Sequence, residues 1–199
     1  MIKLDNNRKL KKYLGFIILF ACLSIPFNLV GQKIFHKFNY TTTQGLNLSN
    51  ENLKGKTSII VIGHLHCAAL LFLLKDIQNV KIDTIQYLLF LENTPEQFEA
   101  FNSNDTSSVY GYLRYAFNLK PIIFPTVTVC CKDRNKIYPN GKVAVKTHCN
   151  KLKFKFRTLD SPTIFAIDRM GKIINKHIGW FYNLPDPKTT LVNFIKGKG

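Results

Sequence analysis

The chain is short of acidic side chains and too short for two domains. Its 199 residues leave room for one domain with a proper core and a leader. Only 12 Asp and Glu stand against 28 Lys and Arg, so the formal net charge is +16. Apolar residues make up 46%, an ordinary share for a globular protein, which argues against a disordered chain. The composition therefore indicates one basic, folded domain.

Charge is absent from the run between Tyr13 and Val30, which follows a basic start. The basic residues are Lys3, Arg8, Lys9, Lys11 and Lys12. A basic start followed by an apolar run is typical of a secretory signal peptide, here with a cut after Gly31, or of a single membrane anchor. Both interpretations separate a leader, residues 1–31, from a domain over residues 32–199. That domain is then exported, either periplasmic or anchored and facing outside the cytoplasm.

Cysteines are few, and the first of the five, Cys22, falls in the leader. The other four are Cys67, Cys130, Cys131 and Cys149. Export allows disulfides to persist, and four cysteines permit three pairings between which the sequence does not choose. A bridge between the adjacent Cys130 and Cys131 would strain the backbone.

The central stretch of the sequence joins an apolar run to a cysteine. Thr57 to Ile62 is β-branched and apolar throughout, which predicts a strand buried on both faces. Gly63 breaks the run, and the residues from Cys67 to Val80 predict a mostly buried helix. Cys67 thus begins the helix, where unpaired amides and the positive end of the dipole stabilise an anion. We expect a thiolate nucleophile there, although a small buried cysteine can also be inert.

The elements around this stretch predict an α/β fold. Asp83 to Leu91 is a second apolar strand, so strand, helix and strand imply a right-handed βαβ unit and a parallel sheet. A hairpin is expected over residues 38–48, turning at Gln44-Gly45. Thr94 and Gln97 form a capping box around a helix that begins at Pro95. Further predictions are a helix over 109–119, a strand over 122–129 and a final helix over 188–195, capped by Asp186-Pro187.

A second informative block runs from Ser161 to Trp180. Pro162 comes just before an apolar strand that ends in Asp168, and a Gly171-Lys172 turn follows. A further strand then closes with Gly179-Trp180.

Together with the Leu53-Lys54-Gly55-Lys56 lead and Cys67, this block resembles the thioredoxin-like redoxins of the bacterial cell envelope, of the TlpA and ResA type. The resemblance implies a central mixed sheet flanked by helices and an N-terminal hairpin. Relative to that pattern, residues at about 130–158 form a basic insertion before the Pro162 strand. It also implies that Pro162 is cis and faces Cys67, and that the backbone of Ser161 is able to pair with a bound peptide. The implied activity is thiol–disulfide exchange with protein thiols or disulfides of the cell envelope, without a cofactor.

The sequence departs from that family at its active site. Leu70 stands where the family carries its second, resolving cysteine, and His66 stands where tryptophan is usual. A mixed disulfide on Cys67 would therefore be resolved by Cys130, Cys131 or Cys149, or by an external thiol. A one-cysteine peroxidase is not favoured, because the proline and threonine that peroxiredoxins place before their cysteine are absent.

His64 and His66 precede the cysteine and admit three interpretations. Either imidazolium would stabilise a thiolate. With Cys67, and with His148-Cys149, they would also suit copper or zinc. The third interpretation is two ordinary surface histidines.

The positive charge is concentrated late in the chain. Ten Lys and Arg lie between Lys120 and Arg157, against Asp133 alone. Lys151 to Arg157 alternates cations with apolar residues, which predicts either a lysine-protected edge strand or a docking face for anionic lipid or an acidic partner. Nucleic acid is not expected as the partner of an exported domain.

Three functions stay open at this point. The first is a cell-envelope thiol–disulfide oxidoreductase with Cys67 as its single nucleophile. The second is a non-catalytic binding module that uses the groove at Ser161-Pro162 or the basic insertion. The third is a copper or zinc carrier.

Overall fold

The computed structural model describes residues 33–80, 82–129, 134–137, 143–146, 161–180 and 185–198. The expected leader, the four cysteines Cys22, Cys130, Cys131 and Cys149, and the segment Lys151 to Arg157 lie outside the described residues. Among the described residues no helix is long and apolar enough to cross a membrane.

The order of elements follows the predicted βαβ pattern. A hairpin of β1 (Asn39–Thr41) and β2 (Asn47–Ser49) leads through a short 3-10 helix (Asn50–Leu53) to β3 (Thr57–Gly63). Next come α1 (Ala68–Val80), β4 (Ile85–Leu91), α2 (Pro95–Asn102), α3 (Val109–Ala116) and β5 (Thr126–Thr128). The second half holds β6 (Arg134–Ile137), β7 (Val143–Lys146), β8 (Thr163–Ile167), β9 (Ile173–Ile178) and α4 (Pro187–Ile195).

The main sheet has five strands in the order β5-β4-β3-β8-β9. β3 pairs in parallel with β4, and β4 with β5, whereas β8 is antiparallel to both β3 and β9. The predicted α/β class and mixed sheet are thus confirmed. Within the expected insertion, β6 and β7 form a separate antiparallel pair.

β3 is the centre of the core because both of its faces are apolar. Ile59 and Val61 face a cluster built with the helices, and Ile60 and Ile62 face a second cluster on the opposite side. The helix-side cluster is completed by Leu70, Leu71, Leu73, Leu74, Ile77, Phe98, Phe101, Leu191 and Phe194. Full burial of each such side chain contributes about 1.5–3 kcal/mol, so the sheet centre is the most firmly packed part of the described chain.

The second face of the sheet is covered by the N-terminal segment and hairpin. Phe35 meets Phe165 edge to face at 5.2 Å between centroids, and Phe38 meets Phe90 in the same way at 5.4 Å. Leu48 of β2 and Leu53 of the 3-10 helix are buried in the same cluster. The N-terminal segment, the hairpin and the 3-10 helix thus cover with aromatic and aliphatic side chains a face on which no α-helix of the described chain packs.

Side-chain amides bind the segment that leads into β5. Gln78 accepts the N–H of Lys120 at 2.9 Å and donates to its carbonyl at 2.8 Å. Asn102 likewise accepts the N–H of Ile122 at 3.0 Å and donates to the Ile122 carbonyl at 3.3 Å. Each amide therefore supplies the donor and the acceptor that a neighbouring strand would supply.

The turn of the β1–β2 hairpin binds the end of this segment and the first residue of β5. The Gln44 side chain donates to the carbonyl of Phe124 at 3.4 Å and accepts the N–H of Thr126 at 3.5 Å. The N–H of Thr43 donates to the carbonyl of Thr126 at 2.8 Å. The residue before Thr126 bonds to the opposite side, toward β4: the carbonyl of Pro125 accepts the N–H of Leu89 at 3.0 Å. The strand predicted over 122–129 is shorter in the structure, because its pairing with β4 begins only at Thr126, and Ile122 is bound by Asn102 instead.

Candidate functional site around Cys67

The cysteine turn connects β3 to α1 over four residues. The N–H of Cys67 donates to the carbonyl of His64 at 3.0 Å, and the Cys67 carbonyl accepts the N–H of Leu71 at 3.1 Å. Cys67 thus occupies the cap position directly before Ala68, the first residue of α1. Its side chain is half-buried, next to the amide end of a helix of 13 residues.

The Ser161-Pro162 peptide bond lies against this turn and is cis. The Cys67 thiol donates to the carbonyl of Ser161, with 3.2 Å from Sγ to O. The carbonyl of Pro162 in turn accepts the N–H of Gly179 at 2.7 Å, which fixes the segment to the end of β9. The sulfur therefore sits between a helix terminus that favours an anion and a carbonyl that only its protonated form can bond.

Gly63 makes room for the Ser161 side chain. A Cβ atom at Gly63 would lie 2.7 Å from Ser161 Oγ, 3.3 Å from the side chain of Leu70 and 3.6 Å from Pro162 Cα. In the space left by the missing side chain, Ser161 Oγ accepts the N–H of His64 at 3.3 Å. Glycine at this position thus permits a hydrogen bond between the two halves of the site.

The other side of the turn is held by Asn93, a residue that sequence reasoning missed. Asn93 Oδ1 accepts the N–H of Leu65 at 2.9 Å, and both residues are fully or almost fully buried. Asn93 Nδ2 donates to Gln97 Oε1 at 3.0 Å, which also accepts the N–H of Thr94. A polar residue between a buried strand and the predicted capping box was the available signal.

The two histidines of the turn differ in exposure. His64 is half-buried, whereas His66 is exposed and rests against the ring of Tyr110 in α3, with 4.7 Å between centroids and 47° between planes. In the part of the chain that the structure describes, no three His, Cys, Asp or Glu side chains converge as metal ligands. His148-Cys149 lies outside that part.

Leu70, three residues after Cys67, is part of the core. Leu70 has no exposed surface and belongs to the helix-side cluster. Cys67 is the only cysteine among the described residues, and its thiol is free. The candidate resolving thiols Cys130, Cys131 and Cys149 fall outside those residues.

Comparisons with known proteins bear on the fold. No protein-family model and no curated protein sequence matches the chain. Among solved structures, MTB DsbF is 12% identical with a TM-score of 0.50, covering 81% of this chain and 95% of its own. A candidate protein disulfide isomerase from Bacteroides thetaiotaomicron is 16% identical with a TM-score of 0.50, covering 83% and 89%. The exposed lipoprotein thioredoxin Etrx1 of Streptococcus pneumoniae is 14% identical with a TM-score of 0.46, covering 80% and 98%.

The likeness to the first two structures agrees with the strand order and helix placement described above. The thioredoxin-like fold expected from the sequence is therefore confirmed.

Proposed function

We propose that this protein is a cell-envelope thiol–disulfide oxidoreductase that acts through one nucleophilic cysteine, Cys67. The observation that carries the proposal is the position of the sulfur. It caps a 13-residue helix and contacts the carbonyl of Ser161 at 3.2 Å, next to a cis proline. A half-buried thiol at a helix N-terminus is placed to attack a disulfide that reaches it from solvent.

The first step is a disulfide exchange. The Cys67 thiol loses its proton to water, and the thiolate attacks one sulfur of a protein disulfide. A new S–S bond forms to Cys67 as the substrate S–S bond breaks, and the departing sulfur leaves as a thiolate that takes up a proton. Because the Cys67 thiol then no longer exists, the Ser161 carbonyl is released to accept an N–H of the substrate backbone.

The second step needs another thiol, because Leu70 is a buried aliphatic side chain. A thiolate from Cys130, Cys131 or Cys149, or from an external molecule, attacks the Cys67 sulfur of the mixed disulfide, so an S–S bond to Cys67 forms as the S–S bond to the substrate breaks. The substrate sulfur leaves as a thiolate that takes up a proton. The substrate is thereby reduced, Cys67 and the resolving thiol are oxidised to a disulfide, and a reducing external thiol returns Cys67 to its thiol form.

A binding module is the second candidate, and Leu70 favours it. A chain that only binds its partner through the Ser161-Pro162 segment has no need of a second thiol. The copper or zinc carrier has no such supporting observation among the described residues.

The proposed setting follows from the leader and the charge. A basic start before an apolar run supports export. The first 31 residues hold five of the Lys and Arg and one of the acids, so the remaining chain still carries +12. Substrates would be protein thiols or disulfides of the cell envelope, with an acidic partner or anionic lipid at the basic insertion.

The test is trapping of the mixed disulfide. The native full chain is incubated with a dipyridyl disulfide, and the adduct is located by mass spectrometry after digestion. We expect the adduct on Cys67, its loss in Cys67→Ser, and its release when a reducing thiol is added. The triple variant Cys130→Ser, Cys131→Ser and Cys149→Ser distinguishes an internal from an external resolving thiol.

A contrary result is equally clear. If Cys67 stays unmodified in the native protein and is modified only after denaturation, the oxidoreductase is excluded and the binding module remains.

A further inference from the structure

Two consecutive backbone amides of the cysteine turn are bound by side chains from distant parts of the chain. The N–H of His64 is accepted by Ser161 Oγ, 97 residues away, and the N–H of Leu65 by Asn93 Oδ1, 28 residues away. The Asn93 bond is the shorter of the two, 2.9 Å against 3.3 Å, and it is the one that is buried. Asn93 therefore fixes the turn more strongly than Ser161 does.

The orientation of the Asn93 amide is determined at both of its ends. Its oxygen must face the N–H of Leu65, and its nitrogen must face Gln97 Oε1 at 3.0 Å. Gln97 cannot turn its own amide round, because Oε1 also accepts the N–H of Thr94 at 3.0 Å. Only a side chain with one acceptor and one donor fits between Leu65 and Gln97.

The network also ties the turn to a rigid element. Thr94 is the N-cap of α2, and its Oγ1 accepts the N–H of Gln97 at 3.3 Å. Asn93, Thr94 and Gln97 are all buried, with 2%, 4% and 9% of their surface exposed. A buried network of this kind has one low-energy arrangement, because every unmatched polar atom is costly.

We propose that Asn93 is a positioning residue for Cys67. It holds Leu65, two residues before the cysteine, so that the sulfur stays at the N-terminus of α1 and beside Ser161. This inference rests on the proposed function, since it concerns the reactivity of the same thiol. Without the Asn93 bond the buried N–H of Leu65 has lost its acceptor, and the turn shifts to find another.

The test compares Asn93→Ala with Asn93→Asp in mild acid and at neutral pH. Asn93→Ala removes donor and acceptor at every pH. The carboxyl introduced by Asn93→Asp is neutral in mild acid, since burial favours its protonated form, and it then accepts from Leu65 and donates to Gln97. At neutral pH an ionised carboxylate has no proton to place against Gln97 Oε1.

The readouts are the rate of exchange of Cys67 with a dipyridyl disulfide and the hydrogen exchange of the Leu65 amide. In mild acid we expect Asn93→Asp to match wild type within a factor of about two, and Asn93→Ala to react about tenfold more slowly, as loss of one buried hydrogen bond implies. Both variants are uncharged there, so charge does not explain the difference. At neutral pH both are slow, and the Leu65 amide exchanges faster in both.

Asn102→Ala is the matched control, because it truncates another two-bond amide at the far end of α2. It should leave both readouts unchanged. Wild-type or faster exchange of Cys67 in folded Asn93→Ala, or the same rate for both Asn93 variants in mild acid, overturns the inference. Failure of wild-type Cys67 to react overturns the proposed function instead, so the two failures are distinguishable.

Discussion

In both the cysteine turn and the β5 edge, meaning residues 120–126, side chains bind backbone polar groups, but the two regions differ in burial. Both are irregular backbone segments whose N–H and C=O groups are bound by side chains rather than by a strand. At the turn, Asn93 and Ser161 each accept one N–H, and the Asn93 bond is buried. At the edge, Gln78 and Gln44 each donate and accept, and their donated bonds are exposed.

The difference concerns what replaces a lost bond. Water reaches the bonds of Gln78 and can take over from a missing amide there, so each of these bonds contributes little. Water does not reach Leu65, so the loss of its acceptor leaves an unpaired polar group. Backbone that is bound by buried side chains keeps one geometry, which a positioned nucleophile requires. At the β5 edge the backbone groups need only some hydrogen-bond partner, either a side chain or water.

The largest expected loss of stability comes from a substitution at the cysteine turn. Gly63→Ala places a Cβ atom 2.7 Å from Ser161 Oγ and 3.3 Å from the Leu70 side chain, so either the Ser161 hydroxyl leaves the N–H of His64 or the two halves of the site move apart. We expect the free energy of unfolding to fall by about 1–3 kcal/mol, as for other overpacked sites. Chemical denaturation measures it, and mass spectrometry of the dipyridyl adduct follows Cys67.

The matched control for this substitution is Ser161→Ala, which removes the atom that clashes. The double variant should regain most of the stability that Gly63→Ala loses, although the bond to His64 N–H is gone. Equal stability of the single and double variants would show that the approach of Ser161 to Gly63 is not what constrains this position.

A smaller effect is expected from the same kind of change at the edge. Gln78→Ala removes both bonds to Lys120, but solvent replaces them, so we expect a loss of about 0.5–1 kcal/mol in the free energy of unfolding. The neighbouring Asn79→Ala, at an exposed position of α1, controls for helix propensity. A loss as large as that of Gly63→Ala would remove the contrast between the two regions.

The smallest expected effect on stability concerns a hydrogen bond that is both local in the sequence and exposed to solvent. Asp186 caps α4 by accepting the N–H of Thr189 at 3.0 Å, and hydrogen bonding to Thr189 lowers the pKa of Asp186 below its ordinary value. The folded state therefore binds this proton less readily than the unfolded state does. The stabilisation is complete above the ordinary pKa of aspartate and is lost as the pH falls through the lowered one.

Asp186→Asn keeps a capping side chain and removes the charge. We expect this variant to lose that part of the pH dependence, with little change at pH values where wild-type Asp186 is protonated. Thermal unfolding followed across the acid range measures it. An unchanged acid dependence in the variant would assign the effect to other carboxyl groups.

Local patterns were enough to predict much of the fold. The buried strand at Thr57, the helix after Cys67, the capping box at Thr94 and the cap at Asp186 all depend on neighbours in the sequence. The cis bond before Pro162 was expected from the family resemblance and is present. These features repeat in many proteins because they are determined by a few adjacent residues.

What was missed depends on contacts between distant residues. Nothing in the sequence indicates that Asn93 would meet Leu65, or that Gln78 would meet Lys120, 42 residues away. The helix predicted over 109–119 ends at Ala116, because Asn118 takes a left-handed conformation with φ of 51° and the chain reverses. Helix ends and side-chain partners are decided by tertiary packing, which periodicity does not describe.

The contact between the hairpin turn and β5 has a consequence for self-association. Fibrils and strand-swapped oligomers grow when an extended chain adds to the open border of a sheet. Here an incoming chain would have to displace the Gln44 side chain and the N–H of Thr43 before it could bond to Thr126. The hairpin turn therefore hinders the addition of a strand at this position of β5.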